Sequence, residues 1–219
     1  METIKLPSPE ECLEYFEYYK VPGNIKAHCL AVQKTAIFLA RELNHEGAKI
    51  NVTLLNCLTV FHDMFKAATI DYDDEKSSSN RFHNHPLSAE EYALWQKLRT
   101  AYPNMNETQI AQEVLKVDYP ELAALLVHEK QGHTPEQALS NYCDWITLKD
   151  EVVTLKERLL YLLQAYPEKK MFYFNEAKKI KEYEKEIFAK LNFPPEELKV
   201  KIADAEVETE VETEGKNGR

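Results

Sequence analysis

A chain of 219 residues, 44% of them hydrophobic, is long enough for one ordinary domain with a sizeable core. Its formal charge of −10 and pI near 5.3 exclude a uniformly basic groove for duplex nucleic acid, although a bound metal ion would still admit a small anionic substrate. Five glycines are few for a strand-rich fold, so the composition points to an all-α chain. Cys12, Cys29, Cys57 and Cys143 form no C-x-x-C pair and read as core thiols. No apolar run approaches the roughly 18 residues that span a bilayer, and the N-terminus carries no signal-peptide pattern. The sequence therefore reads as cytoplasmic, with no membrane partner.

Ser8-Pro9-Glu10-Glu11 starts a first helix: a capping serine, proline at the first helical position and acids in the first turn. It ends before Val21-Pro22. Its aromatic run, Tyr15-Phe16-Tyr18-Tyr19, reads as helix packing in preference to a base-stacking pocket. A second helix is expected from Asn24 to Leu43, with Ile25, Cys29, Val32, Ala36, Leu39 and Leu43 stepping by three and four along one face. A third is expected from Val52 to Ala67, carrying Leu55, Leu58, His62 and Phe65.

Between Thr69 and Ser88 the sequence is polar and aperiodic and reads as an exposed loop or lid. Helical signal returns over Ser88–Arg99, with a capping box at Ser88, then over Glu107–Val117 and Glu121–His128. Thr134-Pro135 opens a helix expected to pass through Asp144 to Leu148, and another covers Glu151–Leu163. A charged helix over Glu168–Leu191 turns one apolar face towards the core or a partner. The alternating glutamates of EVETEVETE close the chain as an acidic tail, expected to be disordered.

Candidate chemistry centres on Val60-Phe61-His62-Asp63-Met64. A carboxylate in an apolar helical stretch is expensive unless a positive charge neutralises it, and a divalent cation would do so. Adjacent residues diverge by about 100° on a helix, so one ion shared by His62 and Asp63 needs the helix end-on or a common site edge. His28, beside the apolar stripe of the second helix, suits either a hydrogen-bonded core histidine or a ligand. Asp144, between Tyr142-Cys143 and Trp145-Ile146, suits either a surface acid or a ligand.

VPGNIKAHCLAVQKTAIFLARELN followed by LLNCLTVFHDMFK resembles the opening of the HD-domain metal-dependent phosphohydrolase superfamily. Asp144 in ALSNYCDWITLKDEVVTLKERL resembles that family's last conserved acid, so the resemblance covers residues 21–163. It implies an all-helical HD bundle in which His28, His62, Asp63 and Asp144 bind a divalent metal (Mn, Fe, Co, Ni, Zn or Mg). It further implies that the metal activates a water for attack on phosphorus. Asp63 and Lys66 become the candidate catalytic residues. Lys66 stands where many members carry lysine, to bind phosphate, and reads equally as a helix C-terminal lysine favoured by the dipole. His85 and His128 are candidates for a second metal or a substrate contact, with His83 an alternative.

The implied organisation is a phosphohydrolase domain over residues 1–165, a C-terminal helix over 166–194 and an acidic tail over 195–219. The implied substrate is a phosphomonoester of a nucleotide or small metabolite, and a homo-oligomer is compatible with the sequence. Two alternatives stay open: a phosphodiesterase for a cyclic or signalling nucleotide, and a non-catalytic regulatory module. His128-Glu129-Lys130-Gln131-Gly132-His133 is one residue too long for the zincin motif, so a peptidase is excluded.

Overall fold

The computed structural model describes residues 4–70, 87–128 and 134–205, with the backbone alone for Val127 and His128. Among these residues the regular structure is helical apart from a two-residue hairpin. In chain order come α1 (Pro9–Tyr18), α2 (Gly23–His45), α3 (Val52–Phe61), α4 (Lys66–Thr69), α5 (Ala89–Ala101), α6 (Glu107–Leu115), α7 (Pro120–His128) and α8 (Pro135–Trp145). The hairpin β1 (Thr147–Leu148) and β2 (Glu151–Val152) follows, then α9 (Leu155–Ala165) and α10 (Lys170–Phe188). Residues 198–205 are helical again.

Local chemistry fixes where these helices begin. The Ser8 hydroxyl accepts from the Glu11 N–H at 3.2 Å, while the Ser8 N–H donates to the Glu11 carboxylate at 2.7 Å. Reciprocal boxes of the same kind stand at Ser88/Glu91, Asn106/Gln109, Thr134/Gln137 and Thr154/Glu157, each satisfying backbone donors that a helix start leaves unpaired. At the other end of α2, Gly47 has φ +90°, a left-handed turn that glycine takes without steric penalty. Asn44 then accepts from the Ile50 N–H and donates to the Ile50 carbonyl, seating the connection to α3.

Helices α2 and α3 pack along each other, and α8 lies against both. Two apolar clusters result. One gathers Phe16 of α1, Cys57, Leu58 and Phe61 of α3, Trp95 of α5, and Leu115 and Leu122 of α6 and α7. The other gathers the later half of α2 with Leu55, Tyr142, Leu155 and Ile180. α2 and α3 each contribute to both, so the two helices together form the shared wall between them. All four cysteines are free and buried, with Cys12 and Cys57 Sγ atoms 3.9 Å apart.

Several expected boundaries move; the helix expected to pass through Asp144 to Leu148 stops at Trp145, because Thr147 and Leu148 form β1. The helix expected over Val52–Ala67 stops at Phe61, and a turn separates it from α4. The helix expected from Glu151 starts at Leu155, because Val152 pairs with Thr147 in the hairpin and Thr154 supplies the cap. The tail expected from residue 195 begins with a tight helical turn over Pro195–Glu197, and Leu198 and Ile202 are buried in the second cluster. Residues 206–219 lie outside the described residues. Helix α10 is shorter than expected and packs on α8 and α9 of its own chain through Ala177 and Ile180. Leu198, 1% exposed, should behave as a core residue. Leu198→Ala is expected to lower unfolding free energy by about 2–5 kcal/mol in urea denaturation. An unchanged midpoint would show that residues 198–205 contribute nothing to the core.

Candidate metal centre

His62 is where α3 ends. The Thr59 hydroxyl donates back to the Leu55 and Asn56 carbonyls, and the Thr59 carbonyl accepts from His62 Nδ1 at 2.7 Å. In a continuing helix that carbonyl would take the Asp63 N–H instead. The imidazole thus caps the helix that carries it, and the chain turns over residues 62–65 before α4 begins. His62 and Asp63 therefore sit at a helix end.

His28 is oriented from outside its own helix. Its Nδ1 lies 2.6 Å from the carbonyl of Lys149, in the β1–β2 turn. Lys149 has φ +60°, a conformation that non-glycine residues adopt uncommonly, and the turn carries its carbonyl to His28. A carbonyl only accepts, so both Nδ1 atoms carry the proton. Each ring therefore turns its Nε2 towards the centre.

Both Nε2 atoms face one oxygen. Asp144, in the last turn of α8, places Oδ1 3.1 Å from His28 Nε2 and 3.7 Å from His62 Nε2. Burial opposes charge on Asp144, yet the two imidazoles hold its carboxyl well below the usual range. A divalent ion held among them would take the place of the protons that otherwise join ring and acid. Ligands about 2.1 Å from a divalent ion are roughly 3.0 Å apart in octahedral and 3.4 Å apart in tetrahedral geometry. The 3.1 Å separation falls in that range, and the 3.7 Å one lies just above it. The three ligand atoms lie within 4.8 Å of one another, so His28, His62 and Asp144 could hold a metal ion.

Asp63 points elsewhere. Its Oδ1 accepts from Lys66 Nζ at 3.2 Å, and the same ammonium donates to Glu107 Oε1 at 3.2 Å. Burial works against the Asp63 charge, but Lys66 first and His62 second hold its carboxyl below the ordinary range. Burial likewise works against the Lys66 charge, and Asp63 and Glu107 more than offset it, raising its pKa. Lys66 is the first residue of α4, and Glu107 the first of α6.

Of the expected ligands, then, the structure brings together His28, His62 and Asp144, with Asp63 beside them in the ion pair to Lys66. His83, His85 and His133 lie outside the described residues, as does the His128 side chain. Glu107 was missed in the sequence, where it reads only as an acid in a first helical turn; its role depends on α6 folding back onto α4. No family model, curated protein or solved structure matches this chain. No helix among the described residues is long and apolar enough to cross a membrane.

The Asp63–Lys66–Glu107 group has a definite pH signature. Asp63 is depressed, so its contribution is complete above the ordinary carboxylate value near ~4 and is lost as pH falls towards its folded value. Lys66 is raised, so its contribution is complete below ~10 and is lost as pH rises through its folded value. Lys66→Met, which leaves two part-buried carboxylates facing each other, should lower unfolding free energy by about 3 kcal/mol at neutral pH, the low end for breaking a buried pair. Denaturation at pH ~3.5 should show a smaller difference between variant and wild type. Equal differences at the two pH values would contradict the ion-pair assignment.

Proposed function

We propose that this chain is a metal-dependent phosphohydrolase of the HD type, removing phosphate from a nucleotide or other small phosphorylated metabolite. One observation carries the reading: two imidazoles, each with Nδ1 taken by a backbone carbonyl, aim Nε2 at the same Asp144 oxygen. The charge balance supports it. Asp63, Asp144 and Glu107 set against Lys66 leave two negative charges, which a divalent ion would neutralise. A set of two imidazoles and a carboxylate suits Mn, Fe, Co, Ni or Zn better than Mg.

When bound, a divalent ion lowers the pKa of a water and polarises a phosphoryl oxygen. The chain's own residues supply the rest. His28, His62 and Asp144 would hold the ion. Asp63 stays ionised, which makes it a weak base but a good acceptor, so its role is to orient the O–H of an attacking water. Lys66, whose side chain is 26% exposed, offers a fixed positive charge to the oxygens of a phosphoryl group as negative charge accumulates there. Glu107 restrains that ammonium without touching substrate.

The test uses protein stripped of metal and resupplied separately with Mn, Fe, Co, Ni, Zn and Mg. Metal content is measured alongside phosphate release from nucleotides and sugar phosphates. The expected result is about one ion per chain and release that follows the metal. Asp144→Ala should lose both, and Asp63→Ala should lose release while keeping its helical circular dichroism. Full metal content and turnover in Asp144→Ala would overturn the assigned centre. Metal binding without phosphate release from any compound would overturn the monoesterase reading and leave the centre standing.

A further inference from the structure

A cavity lined by none of the residues of the metal centre lies between α1 and the segment joining α6 to α7. It is a cleft of about 430 Å³, within the range of roughly 300–1,000 Å³ typical of small-molecule sites. Its walls are unusual in composition. Tyr15, Tyr18, Tyr19 and Tyr119 present four phenol rings, and Glu11, Glu14 and Asp118 add carboxylates. We infer that this cleft binds a small aliphatic diammonium compound, an activity separate from that of the metal centre.

Ring faces are electron-rich and attract ammonium groups, most effectively where the rings are held still. These are held. Tyr15 and Tyr19 lie nearly parallel, with centroids 6.3 Å apart and planes 15° from each other. Tyr15 is braced edge-on by Phe61 at 5.3 Å, and Tyr19 by Phe65 at 4.9 Å. Tyr18 stands edge-on to Tyr19 at 4.9 Å yet is 78% exposed, a large ring left in water at the rim. The chain already demonstrates the preference: Lys5 Nζ sits 5.0 Å from the centroid of the Tyr119 ring.

The carboxylates select the ligand. Glu11 is committed to the Ser8 cap, whereas Glu14 and Asp118 make no ion pair among the described residues. Two such carboxylates call for two positive charges on the ligand. A nucleotide base could stack on these rings, but its phosphates would then lie beside Glu14 and Asp118, which repel them.

Isothermal titration calorimetry of the full chain with diaminobutane tests the inference, with butanediol as the uncharged analogue of similar length. Saturable binding of the diamine and none of the diol is expected. Tyr18→Ala leaves the net charge of the chain unchanged, so it separates the aromatic cleft from general attraction to an acidic protein. It should weaken binding roughly three- to thirty-fold, and Tyr18→Phe should restore it. Absence of saturable binding, equal binding of the diol, or undiminished binding by Tyr18→Ala would each overturn the proposal.

Discussion

The His28 Nδ1–H is taken by the Lys149 carbonyl and the His62 Nδ1–H by the Thr59 carbonyl, and the remaining geometry of the centre rests on these two bonds. Each bond fixes the orientation of its ring, so that both Nε2 atoms face one carboxylate oxygen and a metal ion could stand where a proton otherwise joins ring and acid. The acceptors are main-chain atoms, so their positions depend on where α3 stops and on how the β1–β2 turn is built. The backbone conformation of Lys149 and the short length of the hairpin therefore belong to the geometry of the candidate centre as much as the imidazoles do.

Burial makes the charge pattern consequential. Asp63 and Asp144 are both depressed although burial alone would raise them, so nearby positive or proton-bearing groups outweigh desolvation at each. The two carboxylates divide the labour. Asp144 faces the imidazoles, while Asp63 is turned to Lys66, which Glu107 holds from the opposite side. An ammonium between two carboxylates is charged at any physiological pH, and its position is restrained from the 62–65 turn and from α6. Such a group is suited to electrostatic stabilisation, which depends on charges fixed before the reaction begins.

The all-α fold was legible because most of its helices announce themselves by three-and-four periodicity and by capping residues, as at Ser8 and Ser88. Patterning made His28, His62 and Asp144 legible singly, and only the family resemblance implied a cluster. Periodicity puts His28 beside a buried face, yet only the packing of α8 and the hairpin against α2 brings Asp144 and Lys149 to it. The break after Phe61 was not legible at all, since neither glycine nor proline marks it. It is made by a side chain, His62, competing for the Thr59 carbonyl, and such competition has no signature in composition. Glu107 was hidden for a similar reason: its partner Lys66 is 41 residues away. The segment around Leu198 was misjudged because the glutamates beyond it dominate the composition, while Leu198 and Ile202, four apart, form a short apolar stripe that buries against the second cluster.

The break at His62 also explains how one helix can serve two cores and a site. α3 contributes Leu55 to one cluster and Cys57, Leu58 and Phe61 to the other, so its side chains are committed almost all the way round. A helix buried on every side has no free face on which to display ligands. Ending it is the geometric solution. Past its last turn Met64 and Phe65 stay in the apolar packing, while His62 and Asp63 project from the helix end towards α2, α8 and Lys66. Phe61 and Phe65 bracket this turn and are pinned edge-on by Tyr15 and Tyr19 of the first-helix segment. Aromatic packing from α1 therefore fixes the chain on both sides of the His-Asp pair. That packing limits how far the pair can shift without disturbing the cluster behind it.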